Sequence, residues 1–122
     1  MKLNKINGHF SFGNHLIKPS YKIRDIKNEF LDDSIELWIA NKSWITYRLE
    51  IAMKFILLIK FFNEDLKTIE IYLTYQSGKQ MENELRNLLK SLGGENKYSW
   101  GNVELNKDIK AGYESIVINV NG

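Results

Sequence analysis

The sequence predicts an α+β domain: an antiparallel β-sheet of hairpins, with one long amphipathic helix packed on one face and a short second helix. Three observations predict it. Apolar residues recur at every second position in consecutive stretches from Ile35 to Tyr75. Short polar turns separate those stretches, and strands joined by short turns cannot be parallel neighbours. One run, "SGKQMENELRNLLKSLGG", instead carries its leucines at helical spacing.

The elements follow in order. In "HFSFGNHLI", Phe10 and Phe12 alternate before Gly13-Asn14, and Leu16 and Ile17 follow, which is a hairpin with a tight turn. Pro19-Ser20 ends it. Ser20 is placed to cap a short helix with Ile23, Ile26 and Phe30 on one face, closed by Asp32-Asp33. Next, Ile35, Leu37 and Ile39 alternate with Glu36 and Trp38. After "NKS", Ile45, Tyr47, Leu49 and Ile51 alternate with Trp44, Thr46, Arg48 and Glu50. That is a half-buried hairpin. "KFILLIKFF", the turn "NED" and "LKTIEIYLTY" form a second. The first of these strands is apolar on nearly both faces, so it belongs inside the sheet.

In the helix, Met81, Leu85, Leu88, Leu89 and Leu92 make one stripe, directed at the odd-numbered residues of the central strands. Ser77 with Gln80 fits a capping box, and Gly93-Gly94 fits a left-handed C-terminal cap. Two strands close the chain, roughly Tyr98 to Leu105 and Tyr113 to Val120.

With 122 residues, a single domain spanning 1–122 is expected, large enough for one core. There is no cysteine, which excludes disulfides, thiolate metal sites and a cysteine nucleophile. The formal charge of +2 comes from 17 basic and 15 acidic side chains, too balanced and too scattered to imply nucleic acid. The start has no apolar signal region, and "FILLIKFF" is far shorter than the ~20 residues that span a bilayer. A cytoplasmic location is expected.

Candidate chemistry is sparse. His9 and His15 are the only histidines, flanking the first hairpin without an acid in a triad pattern, and they are too few for a zinc site. Asp32-Asp33 and Glu64-Asp65 are adjacent acids at element ends, where consecutive side chains diverge. Glu82 and Glu84 suit a helix N-terminus. "SLGGEN" follows a helix instead of opening one, so it is no phosphate loop; "SGKQ" is a weak anion motif. No catalytic group, metal or cofactor is expected, and an enzyme is not.

One surface remains. If the odd residues of 35–51 face the helix, the even ones form a second face: Glu36, Trp38, Trp44, Thr46, Arg48 and Glu50, joined by Glu70, Tyr72 and Thr74. Trp, Tyr and Arg are the side chains enriched at binding hot spots. Glu36, Trp38, Trp44, Arg48, Glu70 and Tyr72 are therefore the candidate partner-binding residues. Two alternatives stay open. The face could bind a small ligand or single-stranded nucleic acid, although its acids repel phosphate. The N-terminal hairpin or the short helix could instead fold over it.

The chain also resembles a known group. A leucine-rich helix ends at Gly93-Gly94; then come Tyr98, Trp100-Gly101, Val103, a polar loop with Asp108, and "SIVINV" from Ser115 to Val120. With "INGHFSFGNHLIKPS" and "KFFNEDLKTIEIYL", this layout resembles small bacterial immunity proteins of contact-dependent growth inhibition and related polymorphic toxin systems. The resemblance implies a non-enzymatic inhibitor that binds and neutralises one cognate toxin domain in the cytoplasm. On that reading Trp100-Gly101 and Asp108 are structural, with Lys107 to Gly112 as the last turn.

Overall fold

A computed structural model describes residues 1–31, 35–74, 79–108 and 113–121. Three short strands open the chain: β1 (Lys2–Leu3), β2 (Phe10–Phe12) and β3 (His15–Ile17), which make an antiparallel sheet in that order. Helix α1 (Ile23–Glu29) follows. Then come β4 (Glu36–Asn41), β5 (Trp44–Ile51), β6 (Phe55–Phe62), β7 (Asp65–Leu73), helix α2 (Lys79–Ser91), β8 (Asn96–Tyr98), β9 (Gly101–Asp108) and β10 (Tyr113–Val120). These seven strands form one sheet, ordered β4-β5-β6-β7-β10-β9-β8, with every neighbouring pair antiparallel.

The expectation of an α+β domain built around a long sheet-covering helix is corrected. Among the described residues the fold is mostly β, with ten strands in two antiparallel sheets and two short helices. Helix α2 has 13 residues and packs on the sheet chiefly against β10 and β7. The sequence overweights it because three-residue and two-residue strands such as β1 and β8 leave almost no periodic signal.

The hairpin turns follow from their residues. Asn41 pairs with Trp44 and Phe62 with Asp65, leaving two-residue loops in which Lys42, Asn63 and Glu64 adopt positive φ. Such loops match the twist of the strands they join. At Gly13-Asn14 the turn likewise joins Phe12 to His15. The predicted cap of α1 moves. Lys22 is the N-cap, and its backbone N–H donates to Asp25 Oδ2 at 2.8 Å. Gly94 has φ of 76° and its N–H donates to the Leu89 carbonyl at 2.9 Å, closing α2 as a left-handed terminus does. Asp32-Asp33, Ser77 and the centre of the turn after Lys107 lie outside the described residues.

The closing strands also differ from expectation. Residues 98–105 are not one strand: the chain turns at Ser99-Trp100, and Tyr98 pairs with Gly101. β10 then passes back beyond β9 to lie against β7.

One face of the large sheet holds the core. Tyr47, Leu49, Leu57, Ile59, Phe61, Ile69, Ile71, Ile116 and Ile118 point into it. Phe10, Phe12, Ile17, Ile26 and Phe30 cover them from the N-terminal sheet and α1, and Leu85, Leu89 and Leu92 do so from α2. Each fully buried side chain of this size stabilises the fold by about 1.5–3 kcal/mol. The N-terminal layer is fixed at two points. Lys22 Nζ lies 2.9 Å from Asp65 Oδ1, flanked by backbone hydrogen bonds from Ile23 to Glu64 and from Leu66 to Tyr21. At the other end Trp100 Nε1 donates to the Lys5 carbonyl at 2.9 Å, its ring stacked on Tyr98.

Candidate functional site

Residues directly opposite in an antiparallel ladder share a face, so the register defines the side away from the core. One row runs across six strands: Glu36, Arg48, Leu58, Glu70, Val117 and Glu104. The next contains Ile39, Thr46, Lys60, Thr68, Asn119 and Asn102. Trp44 and Phe62 stand beside it with ring centroids 4.9 Å apart. No described element covers this face. The N-terminal hairpin and α1 pack on the opposite one, through Phe10, Phe12 and Ile26.

All six sequence-derived residues lie on this open face. Arg48 is held by two carboxylates, with Nη2 2.8 Å from Glu50 and Nη1 3.2 Å from Glu36. The hydrogen bond that Arg48 donates to Glu50, with Glu36 behind it, pushes the guanidinium further up in pKa and fixes its charge. Glu70 is only 8% exposed. It accepts the Tyr72 hydroxyl at 3.2 Å and pairs with Lys60 Nζ at 2.6 Å. Glu70 and Tyr72 therefore form a braced floor, not a projecting group. Trp38 and Trp44 are the exposed aromatic side chains of the six, at 52% and 45% exposure.

Two shallow depressions pit the face. Trp38, Arg48, Ile56, Leu58 and Tyr72 line one of about 280 Å³. Ile39, Trp44, Thr46, Lys60, Thr68 and Val117 line another of about 510 Å³.

Parity misplaced one residue and missed others. A register shift between Leu37 and Ile39 marks a β-bulge at Trp38. A bulge inserts one residue and re-aims its neighbours. Ile39, expected on the core side, thus turns to the open face at 49% exposure. Glu104, Asn106, Val117 and Asn119 carry no sequence signal for this face, because nothing in the sequence places β9 and β10 beside β7. In "SIVINV" the β-branched Ile116, Ile118 and Val120 alternate with Val117 and Asn119, and only Asn119 marks the second face of β10 as different.

The remaining candidates stay apart. His15 is half-buried against Phe12 and Phe30, with Nδ1 3.1 Å from Glu29 Oε2. A concavity of about 580 Å³ at the rim, which His15 lines with Glu36, Arg48 and Glu50, has no Ser, Thr, Cys or Lys among the described residues of its wall. Among the described residues no group of three His, Cys, Asp or Glu side chains could hold a metal ion, and no helix is long and apolar enough to cross a membrane. Trp100-Gly101 is a structural anchor. The open face carries Glu36, Glu50, Glu70 and Glu104 among Arg48, Lys60 and Lys97, a mixed set of charges and not a basic stripe of the kind that follows a phosphate backbone.

No protein-family model matches the chain, and no curated protein matches it in sequence. A chain of the solved structure "Rhs1-CT in complex with cognate immunity protein RhsI1" is similar in fold. The TM-score is 0.63 at 12% identity, over 99% of this chain and 87% of that one.

Proposed function

We propose that this protein is a non-enzymatic immunity protein that binds and neutralises a cognate toxin domain in the cytoplasm through the open sheet face. The observation that carries the reading is the fold, shared over 99% of the chain with a chain from a toxin–immunity complex. The face supports it physically. Trp38 and Trp44 offer large apolar area that a partner would bury. Arg48, Glu36 and Glu50 are already fixed in place, so less side-chain freedom is lost on docking.

The test is co-purification with the C-terminal domain of a toxin encoded beside this chain. An equimolar complex that survives high salt is expected. Trp38→Ala and Trp44→Ala should each weaken it by about 30-fold, the loss typical of a hot spot. His9→Gln and His15→Gln should leave it unchanged. Absence of any complex would refute the inhibitor reading. Binding insensitive to both tryptophans but lost on changing Arg86, Asn87 and Lys90, on the exposed side of α2, would refute the site.

A further inference from the structure

The two outer edges of the seven-stranded sheet are built differently. A bare edge offers unpaired N–H and C=O groups to any other strand, and proteins usually blunt it with short length and charge. β8 obeys: it is three residues, "NKY", with Lys97 at its centre. β4 does not. It has six residues, all exposed, with no charge between Glu36 and Lys42. Leu37 is 58% exposed there, beside Trp38 and Ile39.

Faces explain why docking on the open side cannot account for this edge. Leu37 pairs with Tyr47 and so lies on the core side, while Trp38 and Ile39 lie on the open side. The apolar stripe wraps around the rim. A partner resting on the open face leaves Leu37 wet; a strand added alongside β4 shields both sides at once.

The bulge makes β4 complementary to itself. Along residues 36–41 the faces read open, core, open, open, core, open, which is the same in both directions. In a regular strand an antiparallel self-pairing about a point between two residues would oppose unlike faces. Here it places Glu36 opposite Asn41, Leu37 opposite Ala40, and Trp38 opposite Ile39, every pair on a common face. Large residues meet smaller ones. Lys42, next to Asn41, brings a cation to the carboxylate of Glu36.

We infer that β4 pairs with β4 of a second copy about a two-fold axis between Trp38 and Ile39, joining two sheets into one of fourteen strands. The axis is perpendicular to the sheet, so both open faces lie on the same side and remain free for a partner. Trp38 and Ile39 stand both at this seam and on the open face, whereas Leu37 and Ala40 face the core side and belong to the seam alone.

The test is sedimentation of the whole chain over about 1–300 µM, the range in which small interfaces assemble. The wild type should reach twice the 14.3 kDa chain mass. Leu37→Lys, which charges the rim without touching the open face, should raise the dimer dissociation constant by at least about tenfold. The chain has no cysteine of its own. A mixture of Leu37→Cys and Ala40→Cys chains should therefore cross-link on mild oxidation more than either alone, as opposed Cβ atoms lie about 5 Å apart. A wild type that stays at the single-chain mass overturns the inference. So does a dimer indifferent to Leu37→Lys, or single-cysteine chains that cross-link as readily as the mixture. None of these outcomes bears on toxin binding, which is read separately.

Discussion

Gly101→Ala should destabilise the fold by about 3 kcal/mol, although the residue sits in an ordinary strand. A Cβ there would lie 1.9 Å from the Asn119 carbonyl oxygen and 3.0 Å from its carbon. Ordinary contact begins at 3.4 Å, so a backbone atom must retreat by 1.5 Å, the difference of the two distances. Nothing flexible can yield: Gly101 is paired with Val120, and the neighbouring Asn121 N–H donates to the Trp100 carbonyl at 2.9 Å. Overpacking of this kind costs about 1–3 kcal/mol, and each backbone hydrogen bond strained at the strand end adds about 1 kcal/mol. With a urea m-value of about 1.5 kcal/mol/M, the midpoint should fall by about 2 M. Gly13→Ala is the control. Its Cβ meets nothing within 4 Å, but φ is 54°, so only the left-handed conformation penalises it, by about 1 kcal/mol. Equal losses for the two variants, or a Gly101→Ala loss below about 1 kcal/mol, would refute the close approach of β9 and β10 and with it the structural role of Trp100-Gly101.

Two further outcomes are expected. Ile59→Ala removes a side chain with no exposed surface from the centre of the core and should cost about 2–5 kcal/mol by chemical denaturation; a loss under 1 kcal/mol would contradict that packing. Lys22→Met should raise Asp65 toward the usual carboxylate range in an NMR titration, because the hydrogen bond from Lys22 and its charge are the main causes that hold Asp65 below it, with Lys67 adding a smaller pull. A depressed folded pKa contributes stability above the unfolded value and loses it as pH falls through the folded one. Any stability advantage of the wild type over Lys22→Met should therefore fade in strong acid; an unchanged Asp65 titration would exclude the pairing.

Legibility in the sequence tracked the range of the interactions involved. Hairpins β4-β5 and β6-β7 were readable because alternation and two-residue turns are local. Trp38, Trp44, Arg48, Glu70 and Tyr72 fell on one face because parity survives along any unbroken strand. Ile39 broke the rule, since a bulge at Trp38 costs one residue of register and leaves no mark in composition. Glu104, Val117 and Asn119 were out of reach for another reason. Their place on the open face depends on β10 lying between β7 and β9, which is a long-range pairing. The balance of classes failed similarly: one leucine stripe in α2 is conspicuous, whereas β1 and β8 are too short to show a period.

The position of β10 has a consequence in time. β7 is made long before the strand that completes it: from Leu73 to Val120 are 47 further positions, the difference of the two numbers. At a synthesis rate of about 5–20 residues per second, β7 waits roughly 2–9 s for its second neighbour. Through that interval Ile69 and Ile71 lack β10, and the N-terminal layer has only part of its surface to settle on. A growing chain is thus most exposed to unwanted strand pairing in about the last two fifths of its synthesis. Slowing translation after residue 73 should lower the yield of folded protein more than slowing it before β6.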